Sequence, residues 1–238
     1  MIDQGISGTI EWILEDDGTL YFTPVFSNDG TFALSDGHGD WHVEHNSGYD
    51  WNKHYQKIKR IKSDGIIHLA KDSSYMFAGC SYLTDIDGLK NFDTDNVKYI
   101  NCMFKGCSSL VDMTVLKNFN TQNVVDMDNM FDGCSSITTV GLSDNNKNII
   151  DEIPYEETSA LSRKWHKVGT TQEYSCFELA ENWNSSFEGI WSREQISKPV
   201  HTNDFQIVIP EGETVTLLLK DKTLTVKPVG GSVQISYK

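Results

Sequence analysis

One phrase recurs in this chain at a fixed interval, and that interval constrains the fold more tightly than any other property. It reads MFAGCSYL from Met76, MFKGCSSL from Met103 and MFDGCSSI from Met130, each start 27 residues after the one before. The register extends beyond the phrase. Leu83, Leu110 and Ile137 correspond, as do Ile86, Met113 and Val140, then Leu89 with Leu116 and Phe92 with Phe119. Polar positions keep step too, in the pairs Asn91/Asn118, Thr94/Thr121 and Asn96/Asn123. A period of roughly 20 to 50 residues with constant apolar spacing predicts a solenoid, in which one course cannot bury its apolar side until the next stacks on it. Two complete repeats and a third half are too few to stand alone, so the flanks are expected to cover the ends.

The five cysteines are Cys80, Cys102, Cys107, Cys134 and Cys176, an odd number, so at least one is unpaired within the chain. Cys80, Cys107 and Cys134 share one repeat position. Stacking puts their Cα atoms about 4.7–4.9 Å apart. Stacked equivalents carry parallel Cβ vectors, whereas a disulfide needs converging ones, so a ladder of buried thiols is expected. No activating motif adjoins them, and Cys102 and Cys107 have no second pair at zinc spacing.

The chain divides into segments. Residues 1–70 are expected to form an N-terminal cap. GTIEWILEDDGTLYFTP has two β-prone runs around Asp16-Asp17-Gly18, a hairpin signal. In YDWNKHYQKIKRI, Trp51, Tyr55, Ile58 and Ile61 fall at helical spacing with Asp50 as N-cap. Residues 71–144 hold the repeats as short strand-and-turn units, with Asn and Thr at the corners to satisfy buried backbone groups. Residues 145–200 read as a linker and a small α/β segment, in which Ser175-Cys176-Phe177-Glu178 fits a capping box. Residues 201–238 alternate apolar and polar through Phe205/Ile207/Ile209, Val215/Leu217/Leu219, Leu224/Val226 and Val233/Ile235/Tyr237, predicting an antiparallel meander of four strands. The fold class expected is mainly β (α+β): a short solenoid of 27-residue repeats between an N-terminal hairpin and helix cap and a C-terminal antiparallel β meander.

Charge and hydropathy exclude some functions. With 34 acidic and 20 basic side chains, a net charge of −14 repels nucleic acid and anionic membrane surfaces. No run approaches the 18 or so apolar residues of a membrane helix. The opening MIDQGISGTIEW has neither a basic n-region nor an apolar h-region, so no export signal is expected in this chain.

The repeat MFKGCSSLVDMTVLKNFNTQNVVDMDNMFDGCSSI resembles the leucine-rich repeats of BspA-like bacterial surface proteins, whose common form runs MF-x-GCSSL, LDLSNFDTSNVT, then the next Met-Phe. Met103, Phe104, Gly106, Cys107, Ser108, Ser109, Leu110, Asn118, Phe119, Thr121, Asn123 and Val124 fill the family's fixed positions. GTIEWILEDDGTLYF before the repeats and WHKVGTTQEYSCFELAENWNSSFEGIW after them also resemble common flanks, so the likeness spans about residues 7–192. A stretch from Leu83 to Phe92 one residue longer than the usual form is the one departure. The resemblance implies a non-enzymatic, secreted or surface-displayed adhesion module, with no catalytic residues and no cofactor, whose partner is a protein or glycan on another cell surface.

Stacking aligns Asp85, Asp87, Asp112 and Thr114 beside the inward apolar residues, making them the candidate partner-binding stripe, for a basic ligand or calcium, against a plainly solvated face. His38, Asp40, His42, Glu44 and His45 are the candidate metal ligands of a competing reading, a metal-dependent hydrolase; packing or surface roles weigh more, so no metal is assigned. The six tryptophans are expected in the core rather than as sugar platforms. Asn184-Ser185-Ser186 is a glycosylation sequon, relevant in a eukaryotic secretory pathway. A phage virion or tail-associated receptor-binding protein is the alternative function, with a virion location in place of the cell surface.

Overall fold

The computed structural model describes residues 1–25, 31–35, 49–154 and 161–194, together with strands at 215–219, 222–229 and 232–237. They fall into two compact units, Met1–Gln195 and Ile196–Lys238. The described residues are mainly β, with one short α-helix and several 3-10 turns.

The first unit opens with a sheet of β1 (Asp3–Ser7), β2 (Ile10–Leu14), β3 (Thr19–Pro24) and β4 (Arg60–Ser63), in that order. β1 to β3 are antiparallel and β4 joins β3 in parallel. The hairpin expected around Asp16-Asp17-Gly18 is β2–β3. Asp17 Oδ1 accepts the Thr19 amide at 2.9 Å, and Gly18 takes the left-handed φ of +85° that closes the turn. Alternation along these strands buries Ile10, Trp12, Leu14, Leu20 and Phe22. Strand β1 is not legible from its polar DQGIS; Gly5 lets the Trp12 ring lie on it, since a Cβ there would sit 2.7 Å from the indole nitrogen.

Trp51 to Ile61 do not make the expected α-helix. Asp50–Lys57 is a 3-10 segment whose N-cap is Tyr49, without a side-chain cap, and His54 breaks it at φ −108°. The chain must extend by Arg60 to pair with β3, and the amides of Lys59 and Arg60 already reach the Gly18 carbonyl at 2.8 and 3.2 Å. Ile58 and Ile61 are still buried, so the spacing found the inward side and missed the helix type.

The repeats stack in register. Phe77, Phe104 and Phe131 form a column with ring centroids 5.6 and 5.9 Å apart and planes 20° and 8° from parallel. Each buried phenylalanine contributes about 2–3 kcal/mol of transfer free energy, and each ring pair about 1 kcal/mol more. Beside the rings runs a backbone ladder of one polarity. The amides of Ser73, Tyr75, Phe77 and Gly79 donate to the carbonyls of Tyr99, Asn101, Met103 and Lys105 at 2.9, 3.0, 2.9 and 2.6 Å. The next course repeats this: Ile100, Cys102, Phe104 and Gly106 donate to Asp126, Asp128, Met130 and Asp132 at 2.9, 3.0, 3.0 and 2.7 Å. Tyr75, Cys102 and Asn129 hold φ near +57°, at 58°, 56° and 58°, and the glycines four residues later also turn left-handed. Gly106 and Gly133 are fixed by their φ of +75°, while a Cβ there would make only ordinary contact with the preceding glycine, at 3.6 and 3.4 Å.

Other sides of each course carry short parallel pairings, β5 (Ile67–His68) with β6 (Phe92–Asp93) and β7 (Asp112–Met113) with β8 (Thr139–Leu142). At the corners Thr94 and Thr121, both buried, donate to the carbonyls of Asn120 and Asn145 at 3.1 and 3.3 Å. Asn123 donates to Asp95 O at 2.8 Å. This is the backbone-satisfying role the fixed Thr and Asn positions suggest.

Beyond the repeats, β8 passes into an antiparallel sheet with β9 (Leu161–Lys167), β10 (Glu173–Tyr174) and β11 (Gly189–Glu194) in the order β10-β9-β11-β8-β7. The helix α1 (Cys176–Glu181) opens on the expected capping box: Ser175 Oγ accepts the Glu178 amide at 3.2 Å while Glu178 accepts the Ser175 amide at 2.7 Å. The second unit contains β12 (Val215–Leu219), β13 (Lys222–Val229) and β14 (Ser232–Tyr237), antiparallel throughout. Their register aligns Val215 with Val226 and Ile235, and Leu217 with Leu224 and Tyr237. The fourth strand expected at Phe205–Ile209 lies outside the described residues.

Candidate functional site

Asp85 and Asp112 occupy equivalent positions, each two residues before the start of a 3-10 turn, Asp87–Asn91 and Thr114–Asn118. Their carboxylates do local work. Asp85 Oδ1 accepts the Asp87 amide at 2.9 Å, and Asp112 Oδ1 accepts the Thr114 amide at 2.8 Å. Such Asx contacts start a turn that the backbone alone leaves with a free donor. Asp112 also accepts from Thr139 Oγ1, one course on, at 3.0 Å. Asp85 Oδ2 meets Lys62 Nζ at 2.7 Å, and Asp87 meets Lys90 at 2.8 Å. Burial pushes the Asp85 carboxyl up, but the Lys62 ammonium and the Asp87 amide outweigh it and leave it below the usual range. The stripe is therefore a column that caps turns while Asp87 and Asp112 remain exposed to solvent, with basic side chains neutralising its first course.

A second exterior column escaped the sequence reading. Asp72, Tyr99 and Asp126 are joined by parallel bridges, with Asp72 and Asp126 accepting the amides of Ser74 and Asp128, both at 3.0 Å. Tyr99 is 39% exposed between the two aspartates and neighbouring Val125 is 69% exposed. They fall on the 27-residue period, but no constant residue type marks them, because Asp gives way to Tyr and returns.

The thiols are interior. Cys80, Cys107 and Cys134 are free and fully or almost fully buried. Cys107 Sγ donates to Phe77 O at 3.2 Å and Cys134 Sγ to Phe104 O at 3.0 Å, which ties each course to the one before. Burial drives the Cys80 and Cys107 thiols far above the ordinary range, and burial pushes Cys176 up to about 11. A thiolate nucleophile is disfavoured at Cys80, Cys107 and Cys176.

Among the described residues there are two carboxylate–imidazole pairs. His54 Nε2 lies 2.9 Å from Asp3 Oδ2, which Lys53 also grips at 2.8 Å, and His68 Nδ1 lies 2.7 Å from Asp93. The Lys53 ammonium, then His54, hold the Asp3 carboxyl well below its usual range, so this cluster pins β1 to the 3-10 segment. The candidate cluster His38, Asp40, His42, Glu44 and His45 lies outside the described residues. Trp12, Trp51, Trp165 and Trp191 are buried, Trp183 is half-buried against Phe187, and Trp41 lies outside the described residues. Asn184 of the sequon caps the turn Ser185–Phe187, accepting the Ser186 amide at 3.0 Å.

Residues 71–198, more than half of the chain, match the family described as Mycoplasma protein of unknown function, DUF285. The chain belongs to this DUF285 family. The matched span begins where the repeats begin and runs through the sheet that follows them. A comparison with curated proteins finds no match. Among solved structures, a leucine rich cell surface protein from Faecalibacterium prausnitzii A2-165 is similar at 15% identity and a TM-score of 0.26, over 58% of this chain and 36% of that one. The chain thus spans about a third of that protein's length. No helix among the described residues is long and apolar enough to cross a membrane.

Proposed function

We propose that this member of DUF285 is a non-enzymatic, surface-displayed binding module of the BspA-like kind, a short leucine-rich-repeat solenoid that recognises a protein or glycan on another cell. One observation carries the reading. Positions facing inward are nearly constant from course to course, as the columns of Met, Phe, Gly, Cys and Leu demand, while positions facing out vary, with Tyr99 between Asp72 and Asp126, and with Asp85 and Asp112 giving way to Thr139. A scaffold whose interior is fixed and whose exterior is free is suited to presenting recognition surface rather than to aligning a catalytic group. The buried, strongly raised thiols point the same way.

Within this reading Asp85, Asp87, Asp112 and Thr114 are the exterior column offered to the partner, and the −14 charge favours a basic one. The test is capture from host-cell and bacterial surface extracts by the purified protein, compared with a variant carrying Asp85→Asn and Asp112→Asn. Asparagine keeps the turn-capping oxygen and removes the charge. A specific captured partner lost in the variant and in high salt supports the stripe; a partner held equally by both moves the site elsewhere on the exterior, and no specific capture rejects the module.

A further inference from the structure

The ladder that joins the courses runs in one direction, so its two ends expose opposite chemistry. The first course presents carbonyls with no preceding course to use them, and three side chains use them instead. Tyr49 Oη donates to Asp72 O at 3.1 Å, Trp51 Nε1 to Met76 O at 3.1 Å, and Asn52 Nδ2 to Met76 O and Ala78 O at 3.2 and 3.3 Å. The last course presents amides. By equivalence with Ile100, Cys102, Phe104 and Gly106 these belong to Met127, Asn129, Phe131 and Gly133. Glu152 stands in for part of the absent course: its carboxylate accepts the Met130 amide at 3.3 Å and also hydrogen-bonds the Asn129 amide. The amides of Phe131 and Gly133 have no partner among the described residues. They border a cavity of about 510 Å³ lined also by Asp132, Asp151, Glu152 and Arg193.

We propose that this open end is a docking site for a turn-forming segment of another protein, which adds one further course by giving its backbone carbonyls to the Phe131 and Gly133 amides and a basic side chain to the acidic rim. The proposal rests on the binding-module reading and gives it a second, separate site.

Three observations select this occupant. The unpaired amides sit at positions i and i+2, and in both closed courses the groups that meet such amides are carbonyls at i and i+2 of a run of turns, Met103 and Lys105 or Met130 and Asp132, with Cys102, Gly106, Asn129 and Gly133 left-handed. A segment of another chain that follows the same turns presents its carbonyls at that spacing. A free anion would also accept from amides, but Asp132, Asp151 and Glu152 surround the cavity, and Arg193 is already spent on the carbonyls of Ile137 at 2.6 Å and Ser135 at 3.2 Å. The same rim suits a cation. Between the second and third courses Lys105 and Asp132 meet at 2.8 Å in the position after the phenylalanine, and a basic residue in the added course would continue that column. A second folded copy cannot serve through its repeats, because their carbonyls are taken, by the amides of the preceding course and at the first course by Tyr49, Trp51 and Asn52.

The probe is an acetylated, amidated peptide of residues 99–106 with Cys102→Ser, the stretch that already plays this part against the first course, titrated into the full chain and followed by amide resonances. Saturable shifts centred on Phe131 and Gly133, with slowed exchange of those two amides, are expected. The same peptide with Lys105→Glu should bind at least about tenfold more weakly. No response at those amides up to millimolar peptide, or equal binding of the Glu peptide, overturns the proposal. Extract capture that survives such a failure would leave the module reading intact with its site elsewhere, whereas peptide binding without any captured partner would remove the module reading and keep the open edge.

Discussion

The front and back of the repeat stack are built from the same phrase, yet they are finished in different ways. At the front, Trp51 and Asn52 are fully buried and hand donors to backbone carbonyls. At the back, one half-buried carboxylate, Glu152, covers part of a row of donors, and the amides of Phe131 and Gly133 face a cavity. A ladder with one polarity cannot be capped symmetrically. Its acceptor end needs donors, which indole and carboxamide side chains supply without charge, while its donor end calls for a carboxylate or another backbone. Capping by a neutral, buried side chain is stabilising and permanent; capping by an acid that pays desolvation is weak and replaceable.

The largest expected effect would break the front. Trp51→Ala removes a fully buried indole that packs on Phe22 at 5.0 Å and caps Met76 O, and should cost about 3–5 kcal/mol in urea denaturation. Asn52→Ala strands the carbonyl of Ala78, while Tyr75 O keeps the Ala78 amide at 3.0 Å, and about 1–3 kcal/mol should be lost. If that variant proves as stable as wild type, the front is not sealed by side chains at all. Inside the stack, Gly106→Ala must take φ of +75°, and a loss of about 1–2 kcal/mol by thermal melting is expected with no change in thiol burial.

The back should respond far less. Glu152→Gln keeps an acceptor for the Met130 amide, so stability at neutral pH should shift by under about 0.5 kcal/mol. Its pH profile sharpens the contrast. Burial holds the Glu152 carboxyl above its usual value, so its contribution is most favourable when protonated and is lost as pH rises through the folded-state pKa. The wild type should therefore lose stability relative to Glu152→Gln as pH climbs past about 4.3, the ordinary glutamate value. Glu178 has the opposite sign. The Ser175 amide and hydroxyl hold it below the usual range, so its stabilisation is present above the ordinary value and vanishes as pH falls through the lower folded one. Only local fraying of α1 in acid, seen in its amide resonances, is expected.

What the sequence made readable was everything with a period or a local signature. The 27-residue step located the phenylalanine column, the thiol column and the corner threonines, and the capping box at Ser175 needed only four consecutive residues. Groups that act once were hidden. Asn52 and Glu152 are single polar residues whose partners lie a course away, and nothing in their neighbours marks them. A signal did exist for Asn52: it lies 26 residues before Ala78, the offset by which the Gly79 amide reaches Lys105 O, so it occupies the place of a preceding course. The candidate stripe at Asp85 and Asp112 was found by periodicity, but its turn-capping role depends on backbone amides that composition does not reveal.

Amide hydrogen exchange at three equivalent positions tests the directional stack most directly. Phe77 and Gly79, then Phe104 and Gly106, donate to the following course, and they should exchange at least about a hundredfold more slowly than Phe131 and Gly133 in the free protein. Equal protection at all three would mean that the last course is already closed, and the difference between the two ends would not exist.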